Sequence, residues 1–375
     1  MNFEKLTENL GNYAGVSVGE NPWDIKVKNH NFYKRLILKG SLGLGESYME
    51  GWWDCDDLEE FFYRIIKSKV RNRIRKNTKL LSQLFIAKIL NQQTIQKSKK
   101  VIDIHYNLDI EIFEAMLGET MAYTCGYWKN AESLDEAQYA KFDLICKKLD
   151  LKKNDKVLDI GSGFGGLANY MAEHYGAKVT GINISKSHHE YAQKQSAQNT
   201  EFFLCDYRKP EKYIYDGKKF DKIVSVGMFE AVGTKNFKRF FNIINKILKD
   251  EGLFLLHTIG TQKDQRRGDP WILKYIFPGG IIPLAQEITA STDELFVLED
   301  WHNFGHYYNK TIKIWYENFK KFWVIEKKRD INHPFYRMWE YYLLMSAAGF
   351  RARDNSLWQI VFSKGGCPGG YTSIR

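Results

Sequence analysis

The sequence predicts an α/β fold: a doubly wound, mostly parallel, Rossmann-like sheet with a small, largely helical N-terminal domain. Three observations predict it. From residue 156 onward, short apolar runs alternate with helical stretches, the pattern of parallel strands joined through covering helices. The first run ends in the glycine-rich turn VLDIGSGFGG, at a strand-to-helix junction. Ahead of these runs the chain has a different character and closes in a strongly basic stretch. The expected division is therefore 1–100 for the helical domain and 101–375 for one αβ domain.

Taken in order, residues 1 to about 60 mix apolar runs with a glycine-rich stretch read as turns (Gly40, Gly43, Gly45) and the aromatic pair Trp52-Trp53. The acidic stretch Asp54 to Glu60 leads into the helical FFYRII. KVLDIG (156–161) reads as a short buried strand, Leu167 to Tyr175 as its helix, KVTGINI (178–184) as the next strand and Ser185 to Ala197 as the next helix. EFFLCD (201–206), FDKIVSVG (220–227) and LFLLHTIG (253–260) read as further strands, with an amphipathic helix over Lys235 to Lys249. FVLEDWHNF (296–304) and LWQIVF (357–362) flank two helices, near 310–327 and 335–348.

The chain has 375 residues, 44% hydrophobic and 27% charged, which supplies a full core and excludes disordered and collagen-like classes. Five scattered cysteines with no C-x-x-C fit reduced thiols and argue against a disulfide framework and structural zinc. MNFEKLTENL lacks the basic-then-apolar order of a signal peptide, and no apolar run reaches the roughly 18–20 residues of a membrane span. These features predict an intracellular, non-transmembrane protein.

Net charge is +10, and residues 64–100 account for more than all of it, with twelve Lys and Arg and no Asp or Glu. Leu80, Leu81, Leu84 and Phe85 fall there at helical spacing. A basic amphipathic helix suits an anionic membrane surface, a solvated helix or linker suits the same composition, and nucleic acid is a third partner for it.

In VLDIGSGFGG, Gly161, Gly163, Gly165 and Gly166 allow a tight turn and close approach of a ligand. G-x-G alone fits NAD, FAD, S-adenosylmethionine or a plain turn. The NAD fingerprint needs an acid about 20 residues on, yet that region reads Gly181-Ile-Asn183-Ile-Ser185. The acids stand instead at Asp159, before the loop, and Asp206, after the third strand; this placement resembles a class I S-adenosylmethionine methyltransferase.

Further polar residues stand at strand ends, where αβ sheets place their sites. Glu230 follows the fourth strand, His257 lies in the fifth, and Tyr307 and Tyr308 follow a later one. Singly, each has a bland reading: a core histidine, a helix-capping glutamate, a core tyrosine and, at Cys125, a small buried hydrophobe. Their joint occurrence at strand ends favours a site.

The segments YTCGYW, VLDIGSGFGG, SVGMFE, LLHTIG, DPWILKYIFPGG, EDWHNFG and GFRARDNSLWQIVFS, in this order from about His105 to Phe362, resemble the cyclopropane-fatty-acyl-phospholipid synthases. The resemblance implies attack of a cis double bond on the methyl group of S-adenosylmethionine, followed by loss of a proton to close the ring. It implies a bound bicarbonate as base, held by Glu230, His257 and Tyr308 with backbone groups of Cys125 and Ile259. It places cofactor contacts at Tyr123, Thr124, Asp159, Gly161, Gly163, Asn183, Ser185, His188, Asp206 and Tyr207, and implies no metal. It also implies unsaturated phospholipids as substrate and peripheral docking of residues 64–100 on the inner face of the cell membrane, with a homodimer contact as another use of the N-terminal domain.

The chain departs from the family pattern at G-S-G-F in the loop, at Ala231, at Asn107 and at Ser346, where a thiol nucleophile is thereby excluded. Rival readings are a lipid methyltransferase that makes methyl-branched chains, a nucleic-acid methyltransferase gripping phosphate through residues 64–100, and a non-catalytic membrane-surface protein.

Overall fold

The computed structural model describes residues 2–70, 110–209, 219–262 and 268–375. Asn107 and most of the basic segment, Arg71 to Lys100, lie outside the described residues. The fold forms two compact units, one from Met1–Met116, Arg267–Pro278 and Ile312–Asp354, the other from Leu117–Arg266, Gly279–Thr311 and Asn355–Arg375.

These units do not follow the linear division at residue 100, because the first recruits helices from late in the chain. Helix Pro334–Arg351 buries Arg337, which donates to the Tyr48 and Trp53 carbonyls and pairs with Asp54 at 2.7 Å. Tyr48 donates to Glu340 at 2.5 Å. A two-stranded pair, β1 (Lys26–Val27) and β2 (Trp53–Asp54), completes this unit. The glycine-rich stretch expected as turns is instead a helix, Ser41–Met49. A Cβ at Gly45 would stand 2.3 Å from the Trp271 ring, so glycine is there to admit an indole.

The second unit is a seven-stranded sheet. Its strands are β3 (Lys156–Ile160), β4 (Lys178–Asn183), β5 (Thr200–Leu204), β6 (Phe220–Val226), β7 (Leu248–Gly260), β8 (Val297–Asn303) and β9 (Ser356–Ser363), in the order β5-β4-β3-β6-β7-β9-β8. The first five are parallel, and β9 and β8 are antiparallel to their neighbours. The predicted strands and the helices between them fall where the alternation placed them, within a few residues at the ends. Helix Phe237–Ile247 buries Phe237, Phe240, Phe241, Ile244 and Ile247 in one apolar core with Leu158, Ile160, Phe254 and Phe362 from the sheet. Connections reverse direction between β3 and β6, and such a switch point opens a crevice at the carboxyl ends of the strands.

Helix Leu134–Lys148 starts at a capping box: Ser133 accepts from the Glu136 amide while the Glu136 carboxylate accepts from the Ser133 amide. It carries two fully buried lysines, Lys141 and Lys148. Lys148 pairs with Asp300 of β8 at 3.1 Å, and Arg375 closes on the same carboxylate at 2.6 Å. Burial pushes the Asp300 carboxyl up, but Arg375 and Lys148 overcome it and hold it down at about 2. The contribution of Asp300 to stability is therefore complete above the ordinary carboxylate range and is lost as pH falls toward 2. Asp300→Asn should cost about 3 kcal/mol near neutral pH by leaving the buried Lys148 uncompensated, measured by urea unfolding. An unchanged midpoint would show that the pair contributes nothing net.

Candidate active site

The glycine turn leaves β3 at the switch point. Gly161 has φ +85° and its amide donates to the Ile182 carbonyl at 2.9 Å; a Cβ there would stand 2.7 Å from Met228. The Gly163 carbonyl accepts from Asn183 Nδ2 at 3.2 Å, which ties the turn to the end of β4. Asn183 Oδ1 accepts in turn from the Ser185 amide, and Ser185 Oγ caps the next helix by accepting from the His188 amide. His188 lies against the Phe164 ring, 4.2 Å between centroids, and burial lowers its basicity. Gly163, Asn183, Ser185 and His188 thus form one hydrogen-bonded rim, with Gly161 tied to the Ile182 carbonyl beside it. Asp159 lies beneath it, 2% exposed, and burial pushes its carboxyl up to about 7.

Asp206 and Tyr207 follow β5. The Asp206 carboxylate accepts from the Arg208 amide and guanidinium, and these bonds hold it below the ordinary carboxylate range. Tyr207 packs edge-on against Phe240. Sequence reasoning missed two apolar side chains at these strand ends: Ile184 is 74% and Leu204 47% exposed.

On the other side of the switch point, the Ile259 amide donates to Glu230 Oε1 at 2.6 Å. The expected backbone donor at Ile259 is therefore already engaged, within the proposed set itself. Glu230 Oε2 is buried with no protein partner, and burial raises this carboxyl above its ordinary range. His257, in β7, is fully buried; Gln359 of β9 stands directly opposite it in register and donates from Nε2 to His257 Nδ1 at 3.3 Å. With the amide placed so that its nitrogen donates, the imidazole proton lies on Nε2, an N–H with no protein acceptor, and Gln359 Oε1 is likewise left without a partner. Burial, reinforced by Lys141 and Lys148, holds His257 neutral.

Cys125 is fully buried, with Sγ 3.8 Å from the Thr311 hydroxyl, and burial pushes its thiol up to about 12. That hydroxyl also accepts from the Gly126 amide and the Trp128 indole, fixing the C-G-Y-W turn. Thr124 accepts from Lys141 at its hydroxyl and from Gln138 at its carbonyl, and Tyr123 stands half-buried just before it. Tyr308 is 7% exposed on the first turn of helix Tyr307–Lys321. Phe304 packs against His257, His302 and Tyr127, so aromatic faces line this end of the sheet. Gln359, Lys141 and Thr311 were not singled out from the sequence; the available signal was a polar residue inside an apolar strand, LWQIVF, and two buried-face polar residues in the helix that begins LDEAQYAK.

The strand order, the glycine turn after a buried acid, and the polar groups at the strand ends define a class I methyltransferase that uses S-adenosylmethionine. The chain belongs to the cyclopropane synthase family: the family model for mycolic acid cyclopropane synthetase matches residues 92–360. The cyclopropane-fatty-acyl-phospholipid synthase of Escherichia coli K12 is 44% identical over 366 residues, covering 97% of this chain and 94% of that one. A sphingolipid C9-methyltransferase of Komagataella phaffii is 32% identical over 300 residues, covering 74% of this chain and 60% of that one. Among solved structures, mycolic acid cyclopropane synthase CmaA1 complexed with SAH and CTAB superposes with a TM-score of 0.60 at 26% identity, over 72% of this chain and 99% of that one.

The residues present fit the cofactor. A glycine turn open to close approach, an isolated buried acid and two exposed apolar side chains match a ligand with a polar, cationic end and a flat ring. Asp159→Asn should weaken S-adenosylmethionine binding about tenfold with the unfolding midpoint nearly unchanged, read by calorimetry. Equal affinity would remove Asp159 from the cofactor site.

Proposed function

We propose that this chain is a cyclopropane-fatty-acyl-phospholipid synthase that acts on cis double bonds of acyl chains at an anionic membrane surface, with bicarbonate as the proton acceptor. S-adenosylmethionine, when bound, supplies an electrophilic methyl group to the alkene. Tyr123, Thr124, Asp159, Gly161, Gly163, Asn183, Ser185, His188, Asp206 and Tyr207 are the residues proposed to hold it.

One observation carries the base site: two buried polar atoms, His257 Nε2 and Glu230 Oε2, have no protein partner. Buried polar groups are rarely left so, and each such group calls for a ligand or another explanation. The His257 N–H is a donor. Glu230, raised by burial, offers a second donor in its protonated form. Two buried donors in a low-dielectric site suit a small anion such as bicarbonate. Tyr308 and the backbone of Cys125 complete the proposed set, and the Ile259 amide acts through Glu230 by fixing Oε1. An alkene is a weak nucleophile, so alignment carries much of the catalysis. The rings of Phe304, Tyr127 and Tyr307 pack edge-on and tilted about one another, and such faces suit a transient cation shielded from water.

Membrane docking rests on the basic stretch 64–100. No helix among the described residues is long and apolar enough to cross a membrane. The same N-terminal domain is also available for a contact between two copies. The second reading, a methyl-branching enzyme of the same fold, is favoured by the similarity to a C9-methyltransferase.

Incubation with S-adenosylmethionine and liposomes of unsaturated phospholipid should give acyl chains heavier by one CH2, with olefinic proton signals lost and upfield ring protons gained by NMR. The same mass gain without ring protons would overturn cyclopropanation in favour of methylation. Glu230→Gln and His257→Ala should each cut turnover at least a hundredfold while S-adenosylhomocysteine binding changes less than threefold. Normal turnover in either variant would remove that residue from the base site.

A further inference from the structure

Lys141 is fully buried on helix Leu134–Lys148, and its ammonium has neutral partners only: it donates to Thr124 Oγ1 at 2.7 Å and to Gln138 Oε1 at 2.5 Å. Among the described residues no carboxylate forms an ion pair with it, whereas Lys148, two turns along the same helix, has Asp300. A buried charge without a counter-charge is expensive, and proteins tolerate it where a ligand of opposite sign completes the site. The surroundings indicate where that ligand would sit. Gln138 Nε2 donates to the Thr124 and Ala122 carbonyls, so Lys141 and Gln138 together fix the Ala122–Cys125 turn. The charge of Lys141 is felt at Cys125, at the end of that turn, and at His257 on β7, whose Nε2–H has no acceptor.

We propose that Lys141 is a positioning residue whose ammonium, held on Thr124 and Gln138, is the counter-charge for a carboxylate-type anion bound beside the Thr124–Cys125 turn. The inference rests on the reading that this site binds an anion next to His257. Two sources share the chemistry, bicarbonate and the carboxylate end of the cofactor. In either case the anion stabilises the charged form of Lys141. Burial otherwise brings Lys141 down to about 7, so at pH 8 it is mostly neutral in the free protein and takes up a proton as the anion binds. The titratable groups that face it are Cys125, whose thiol burial keeps protonated, and His257, which burial keeps neutral.

The test is calorimetry on the full chain in carbon-dioxide-depleted buffers of different ionisation enthalpy at pH 8, with bicarbonate and S-adenosylhomocysteine titrated separately. Wild type should take up close to one proton with one of the two. Lys141→Met should abolish that uptake and weaken that ligand at least tenfold, with the other changed less than threefold. Loss on the bicarbonate arm assigns the anion as bicarbonate, and loss on the other arm assigns it as the cofactor carboxylate. If bicarbonate does not bind wild type at all, the bicarbonate reading fails and the cofactor arm alone decides this proposal. Glu230 could also take up a proton on anion binding, so the assignment to Lys141 needs a variant; where Lys141→Met does not fold, Lys141→Arg, charged throughout, should bind the anion without the uptake, and uptake unchanged in Lys141→Arg overturns the proposal. Absence of proton uptake with both ligands, or binding of both within twofold of wild type in a folded Lys141→Met, overturns the proposal.

Discussion

The hydrogen bond from the Gln359 amide to His257 Nδ1 sets the chemistry of the whole strand-end cluster. It decides which nitrogen of a neutral imidazole carries the proton, and so turns the other one into a donor. It exists because β9 runs antiparallel between β7 and β8, which brings His257, Gln359 and His302 into one row across the sheet. Side chains alternate faces along a strand, so a slip of one residue between β7 and β9 would carry Gln359 to the opposite face and leave both imidazole nitrogens unpartnered. The antiparallel end of a mostly parallel sheet is therefore part of the site as much as of the scaffold.

The two buried lysines of helix Leu134–Lys148 show how the same residue type is handled in two ways. Lys148 is closed off by Asp300, with His302 3.2 Å away on its other side and Arg375 sealing the carboxylate. Lys141, seven residues earlier and equally buried, meets an alcohol and an amide. The first arrangement is self-contained, because a buried carboxylate of the protein itself faces the ammonium. The second has no carboxylate partner, so its charged form is balanced only when an anion arrives. Burial, reinforced by both lysines, depresses the basicity of His257, so the strand-end imidazole stays neutral near neutral pH.

Much of the second unit was legible from sequence because its signals are local. A five-residue apolar run ending in glycines reads as β3 and its turn whatever lies around it, and Asp159, Glu230 and His257 stand beside such runs. The rim proposed for the cofactor was legible for the same reason, since Gly163, Asn183 and Ser185 bond to one another through neighbouring strand ends. The site residues that escaped notice act across long separations. Gln359 acquires meaning only opposite His257, 102 residues away, and Thr311 only against Cys125, 186 residues away. The glycines read as turns at 43 and 45 are helical for a reason invisible locally, because the indole that needs the space belongs to residue 271. Likewise, nothing near residue 100 announces that helix Pro334–Arg351 will pack against segments that precede it by almost 300 residues.

The discontinuity of the first unit bears on the order in which the molecule can assemble while it is being made. Helix Ser41–Met49 carries two interior glycines, which weaken it on its own, and it is completed by Trp271. The Tyr48 and Trp53 carbonyls wait for Arg337. At ribosomal speeds of roughly 5–20 residues per second, the interval between residues 54 and 337 is on the order of tens of seconds, during which these segments have emerged but cannot be satisfied. The strands up to β7 pair over far shorter separations, the longest being β3 with β6. Nascent chains should therefore carry an unfinished, aromatic-rich N-terminal portion beside a maturing sheet, which makes this early portion the natural client of a holding chaperone.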